Sequence, residues 1–189
     1  MVYKFRVILD NEEDVFRDIA ILSTDSMEDL HNAIVNAFGF DGSEGGSFYT
    51  SDENWSQNEE IPLFDMGDEP GQQKVMADFQ VKDLLSEDHT KILHVYDPFN
   101  MWTFFVELAQ VESIDESAEK ELPALLYSFG EVPAGNDVKL DFESDFDDDE
   151  DDDFDIFDGD DDFDNFSGFF FSQNRKKLKK QLVYLKEMM

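Results

Sequence analysis

The chain of 189 residues contains no cysteine, so disulfide bonds, thiolate metal sites and cysteine nucleophiles are all excluded. Positive charge is scarce as well: 14 Lys and Arg stand against 47 Asp and Glu, a formal net charge of −33. A chain this short of cations lacks the basic footprint that phosphates require, which argues against direct duplex-DNA binding. No apolar run is long enough for a secretory signal or a membrane span, and the opening MVYKFRVILD runs straight into a strand pattern. The expectation is a cytoplasmic protein with no membrane partner. Catalytic signatures are missing too. There is no Gly-x-Ser-x-Gly elbow, and the glycines of GSEGGS (42–47) are followed by neither Lys nor a helix signal, which argues against a phosphate-cradling loop. No cofactor is expected, and no internal repeat is present.

What is there begins with alternation. Tyr3, Phe5, Val7 and Leu9 fall on one side of a strand, with Lys4 and Arg6 on the other, and VFRDIAIL (15–22) completes a hairpin across the turn-prone NEED. Asp25 or Ser26 can cap a helix, with Glu28 or Asp29 closing a capping box. Met27, Leu30, Ile34, Ala37 and Phe38 then share one helical face, and Gly39 supplies the stop. From Asp41 to Gly71 the chain is loop-rich, with short strands expected near 47–50 and 61–64. Val75 to Phe79 reads as strand-like, and VKDLL (81–85) as one helical turn. KILHVYD (91–97) and MWTFFVELAQV (101–111) read as strands joined through Pro98, Phe99 and Asn100. Residues 112–140 are acidic and Pro-punctuated, with an apolar patch at 122–129. The fold class is therefore α+β: an N-terminal β-hairpin, one main helix, then further mostly antiparallel strands in one sheet.

Charge divides the chain. Residues 1–140 carry 30 acidic and 8 basic side chains, residues 141–164 carry 16 acidic and none basic, and residues 165–189 carry 1 acidic and 6 basic. The stretch DFDDDEDDDFDIFDGDDDFDNF (145–166), which overlaps the middle block, interleaves carboxylates such as Asp148, Asp151 and Asp160 with Phe146, Phe154, Phe157, Phe163 and Phe166. It is not a calcium loop: with Gly159 at the sixth position, Phe154 and Ile156 fall where oxygen ligands belong. Such repulsion predicts a disordered acidic-aromatic tract over 136–171. A basic amphipathic helix is then expected over 172–189, with Arg175, Lys176, Lys179 and Lys180 beside a Leu178, Leu182, Leu185 stripe.

By the second hairpin, three short motifs stand in order. They are Tyr3-Lys4-Phe5-Arg6-Val7 with Phe16-Arg17, then Glu28-Asp29-Leu30-His31-Asn32-Ala33-Ile34 running into Ala37-Phe38-Gly39-Phe40, then Tyr96-Asp97-Pro98-Phe99-Asn100-Met101-Trp102. In these the chain resembles the Ri-plasmid open-reading-frame-3-like family, a family of transposable-element passenger proteins, over residues 2–135. The resemblance implies an α+β domain and a link to bacterial plasmids or mobile elements, with no catalytic residues to transfer. Asp18 stands where the family usually has a second arginine, and Pro98-Phe99-Asn100 where it has Phe-Gly-Asp.

The motif positions supply a candidate binding surface of Arg17, His31, Tyr96, Asp97 and Trp102. His31 beside the helix stripe and His94 within a strand read as hydrogen-bonded structural histidines, with a His31–His94–carboxylate metal site as the sharper alternative. His89 reads as exposed. Trp102, Phe104 and Phe105 read as core more readily than as a binding surface. Three functional readings follow. The first is a non-enzymatic interaction protein whose acidic arm docks a basic protein partner, with aromatic rings for anchoring and carboxylates for on-rate. The second is a nucleic-acid or small-ligand module masked in cis by its own acidic tail. The third is a metal-dependent enzyme. Oligomeric state has no signal in the sequence.

Overall fold

A computed structural model describes residues 1–67, 71–113 and 121–133. Strand β1 (Val2–Leu9) and β2 (Phe16–Leu22) form the expected hairpin, and helix α1 (Met27–Phe38) follows. Strands β3 (Gly46–Ser51) and β4 (Gln57–Pro62) come next, then a 3-10 turn (Met76–Asp78) and the short helix α2 (Val81–Leu84). Strands β5 (Lys91–Tyr96), β6 (Trp102–Glu112) and β7 (Ala124–Phe129) complete the domain. All seven strands join one sheet in the order β4-β3-β5-β6-β1-β2-β7, and every ladder is antiparallel.

Helix α1 forms where the capping pattern places it. The Ser26 side chain accepts from the Asp29 N–H at 3.1 Å, while Asp29 Oδ2 accepts from the Ser26 N–H at 2.9 Å. Two otherwise orphaned donors are thereby satisfied. Gly39 ends the helix at φ +80°, in the left-handed region that favours glycine. Met27, Leu30, His31, Ile34, Val35 and Phe38 are buried against one sheet face. There they meet Phe5, Phe48 and Phe104, each all but inaccessible to water. Each such ring contributes roughly 2 kcal/mol by burial alone.

Two expectations are corrected, and one unassigned segment gains an element. The second short strand runs over Gln57–Pro62 rather than 61–64; its exposed, alternation-free QNEE half is an edge strand, which needs no apolar face. Residues 75–79 are not strand: the Asp78 side chain accepts from the Val75 N–H at 3.0 Å and closes a 3-10 turn around buried Met76. The apolar patch at 122–129, whose pattern assigned it no element, holds strand β7 (Ala124–Phe129), paired with β2 from Phe16↔Phe129 to Ala20↔Ala124. The acidic-aromatic tract (Phe146, Phe154, Phe157, Phe163, Asp148, Asp151, Asp160) and the basic helix (Arg175, Lys176, Lys179, Lys180) lie outside the described residues. Among the described residues, no helix is long and apolar enough to cross a membrane.

Candidate functional site

The five motif residues separate into two places. At the first, antiparallel pairing of β3 with β5 sets Phe48 opposite His94 and Gly46 opposite Tyr96, and α1 lowers His31 onto them. His31 Nδ1 lies 2.8 Å from His94 Nε2. His94 is fully buried and its Nδ1 has no partner. The tautomer that leaves only a lone pair bare there carries the proton on Nε2 and donates it to His31 Nδ1. The surroundings are apolar: Phe48 and Phe104 flank the His94 ring at 4.6 and 5.5 Å, and Tyr96 stands 6.0 Å from His31. Burial pushes the His31 pKa down from 6.5 to about 4. It pushes that of His94 far down as well, and a charge on His31 lowers it further. Both rings are therefore neutral at pH 7. No carboxylate joins them: among the described residues, no three His, Asp or Glu side chains converge on a metal-sized site.

Phe40, just past the helix stop, links Tyr96 at 5.1 Å to Trp102 at 5.3 Å. Trp102 is half-buried, whereas Phe104 and Phe105 are core residues. Asp97 sits at φ +56° and organises the turn that follows. Its Oδ1 accepts from the Phe99 and Asn100 N–H groups at 3.0 and 3.3 Å, and its Oδ2 from the Asn100 side chain. Burial alone raises the Asp97 pKa, but the Asn100 and Phe99 hydrogen bonds together outweigh it and hold the carboxyl below its usual range. Tyr96 is buried, with its hydroxyl oxygen 3.4 Å from the Glu44 N–H that donates to it. His89 is exposed.

Arg17 is elsewhere, 7% exposed beneath the end of α1. Its guanidinium donates to the carbonyls of Ala37, Phe16, Phe129 and Gly130 at 2.7–3.2 Å, and it stacks 4.9 Å from the Phe38 ring centre. One cation thus ties α1, β2 and β7 together through main-chain oxygens, a task suited to its rigid fork of donors. Desolvation lowers its pKa from the ordinary value.

Sequence reasoning missed the third region. Between α1 and β7 lies a cleft of about 400 Å³, with Ile19, Ala33, Ala37 and Leu125 among its walls and Asp29 and Asn36 from the exposed side of α1. On the opposite sheet face, Phe16 stacks on Phe129 at 5.3 Å and tilts against Tyr127 at 5.9 Å, with the Arg6 guanidinium 4.4 Å above the Phe16 ring. The signal available in the sequence was the spacing Asp29, Asn32, Ala33, Asn36 along one helix face, next to an uncharged ALLYSF.

Fold and site define an α+β domain built on one antiparallel sheet, with a buried histidine pair and β7 as a margin strand among the described residues. The chain belongs to the family described as plasmid pRiA4b ORF-3-like protein, which matches residues 1–163. The match thus continues past residue 135 into the acidic tract. The crystal structure of a protein of unknown function from Methanosarcina mazei Go1 is similar in fold, with a TM-score of 0.56 and 18% identity over 67% of this chain and 68% of that one. No curated protein matches the chain significantly.

Proposed function

We propose that this chain is a non-enzymatic interaction protein of bacterial plasmids or mobile elements, whose acidic-aromatic arm docks basic protein partners. The observation that carries this reading is the block 141–164, with 16 carboxylates, no cation and interleaved phenylalanines. Carboxylates at this density steer a cationic surface into contact, and the rings supply apolar anchoring that a merely solubilising tail would not need. The folded domain is consistent with such a role, because its titratable motif residues are engaged in holding the sheet: His31 with His94, Arg17 with four carbonyls, Asp97 with its own turn.

The test keeps the chain at full length and exchanges the carboxylates of 141–164 for amides. The unmodified chain should retain lysozyme, a basic probe, at low salt and release it as salt rises; the amide variant should not retain it. Equal retention by both would sink the proposal.

A further inference from the structure

The two margins of the sheet differ. The β4 margin carries Glu59 and Glu60, both exposed, and Pro62, which has no N–H to offer. Charge and proline on an edge strand are the usual guard against unwanted pairing. The β7 margin carries no charged residue, and among the described residues it has a strand on one side only. Leu125, Leu126, Tyr127 and Phe129 are each about half exposed, at 48–53%. An edge strand with an apolar, unguarded margin is a template for one more strand.

The surroundings specify what that strand would be. Side chains of a strand alternate between the two sheet faces. On the α1 face the added strand would meet the cleft walled by Ala33, Ala37 and Leu125, which suits apolar side chains. On the other face it would meet the exposed rings of Tyr127 and Phe129, where Arg6 over Phe16 already shows a cation stacked on the same aromatic cluster. Exposed Glu121 and Glu131 flank the two ends of β7. A second copy of this chain would bring those carboxylates against their own kind, on a domain already carrying 30 acids against 8 bases over residues 1–140. We propose that β7 and the α1–β7 cleft receive an extended segment of a basic protein in which apolar and cationic side chains alternate. This deepens the interaction reading and rests on it for the class of partner, but it assigns the binding to a different part of the chain.

The probe is a short labelled peptide of alternating Leu and Lys, titrated against the full chain, with a Leu and Glu peptide as control. Asn36→Trp fills the cleft from the exposed side of α1, and Glu121→Lys with Glu131→Lys reverses the flanking charge. Each should weaken the Lys peptide about ten-fold, a difference of about 1.4 kcal/mol, and bound peptide should slow hydrogen exchange at the amides of 124–129. Both variants should still retain lysozyme through the arm, while the arm-amide variant should still bind the peptide; the two proposals can therefore fail separately. Peptide binding that is unchanged in both variants, or lost only in the arm-amide variant, overturns the inference. So does concentration-dependent dimerisation of the free chain that is abolished by Asn36→Trp.

Discussion

Mild acid should destabilise this protein through the His31–His94 pair. Unfolded, His31 takes up a proton near pH 6.5; folded, it resists protonation down to about pH 4. Between those values the unfolded chain binds more protons than the folded one, so stability is complete above the unfolded value and declines as pH falls. For one group with these two values, acidification from about pH 7.5 to about pH 5 costs about 2 kcal/mol. His94, pushed down by its own burial and by His31, acts in the same direction. The control is a double variant, His31→Leu/His94→Leu. It removes both titrating rings and the bare His94 Nδ1 together, so neutral-pH stability should change less than after either single substitution. Urea unfolding of both proteins, followed by Trp55 and Trp102 fluorescence, isolates the histidine contribution because the carboxylates are common to both. The unmodified chain should lose at least about 2 kcal/mol more than the variant over that interval. Parallel curves, agreeing within roughly 0.5 kcal/mol, would refute the assignment of the pair as buried and neutral.

Other perturbations test the framework around the site. Arg17→Met should cost roughly 3 kcal/mol, because four carbonyls lose a charged donor. Hydrogen exchange should show β7 freed before the rest of the sheet. Gly46→Ala places a Cβ 2.7 Å from the Val95 carbonyl oxygen and 3.2 Å from His31 Cε1. It should lower stability by roughly 2 kcal/mol, with shifted His31 ring resonances in the NMR spectrum. Ser26→Ala removes the α1 cap and should cost about 1 kcal/mol in thermal or denaturant unfolding. Asp18→Asn breaks the two-pronged contact with Arg6, each arm 2.6 Å; the pair is partly exposed, so the loss should be about 1 kcal/mol and shrink with added salt.

Local chemistry written in adjacent residues was legible in the sequence. The β1–β2 hairpin follows from period-two alternation. Helix α1, with a capping box at its start and the Gly39 stop, follows from period 3.6 and cap residues, and the link between β5 and β6 from Pro98, Phe99 and Asn100. These signals survive because each is satisfied within a few residues. Strand β7 (Ala124–Phe129) was not legible. Ala124-Leu125-Leu126-Tyr127-Ser128-Phe129 has no alternation, and what makes it a strand is pairing with β2 more than a hundred residues earlier, together with Arg17 holding its final carbonyls. The histidine pair was only half legible. Each ring could be assigned to its own element, but their 2.8 Å approach required β3, β5 and α1 to converge. Charge distribution, helix caps and strand periods are properties of neighbours along the chain, and the sequence alone determined them. Burial of His94, the carbonyl cage of Arg17 and the pairing of β7 with β2 depend on contacts between distant segments, and only the tertiary structure decided those.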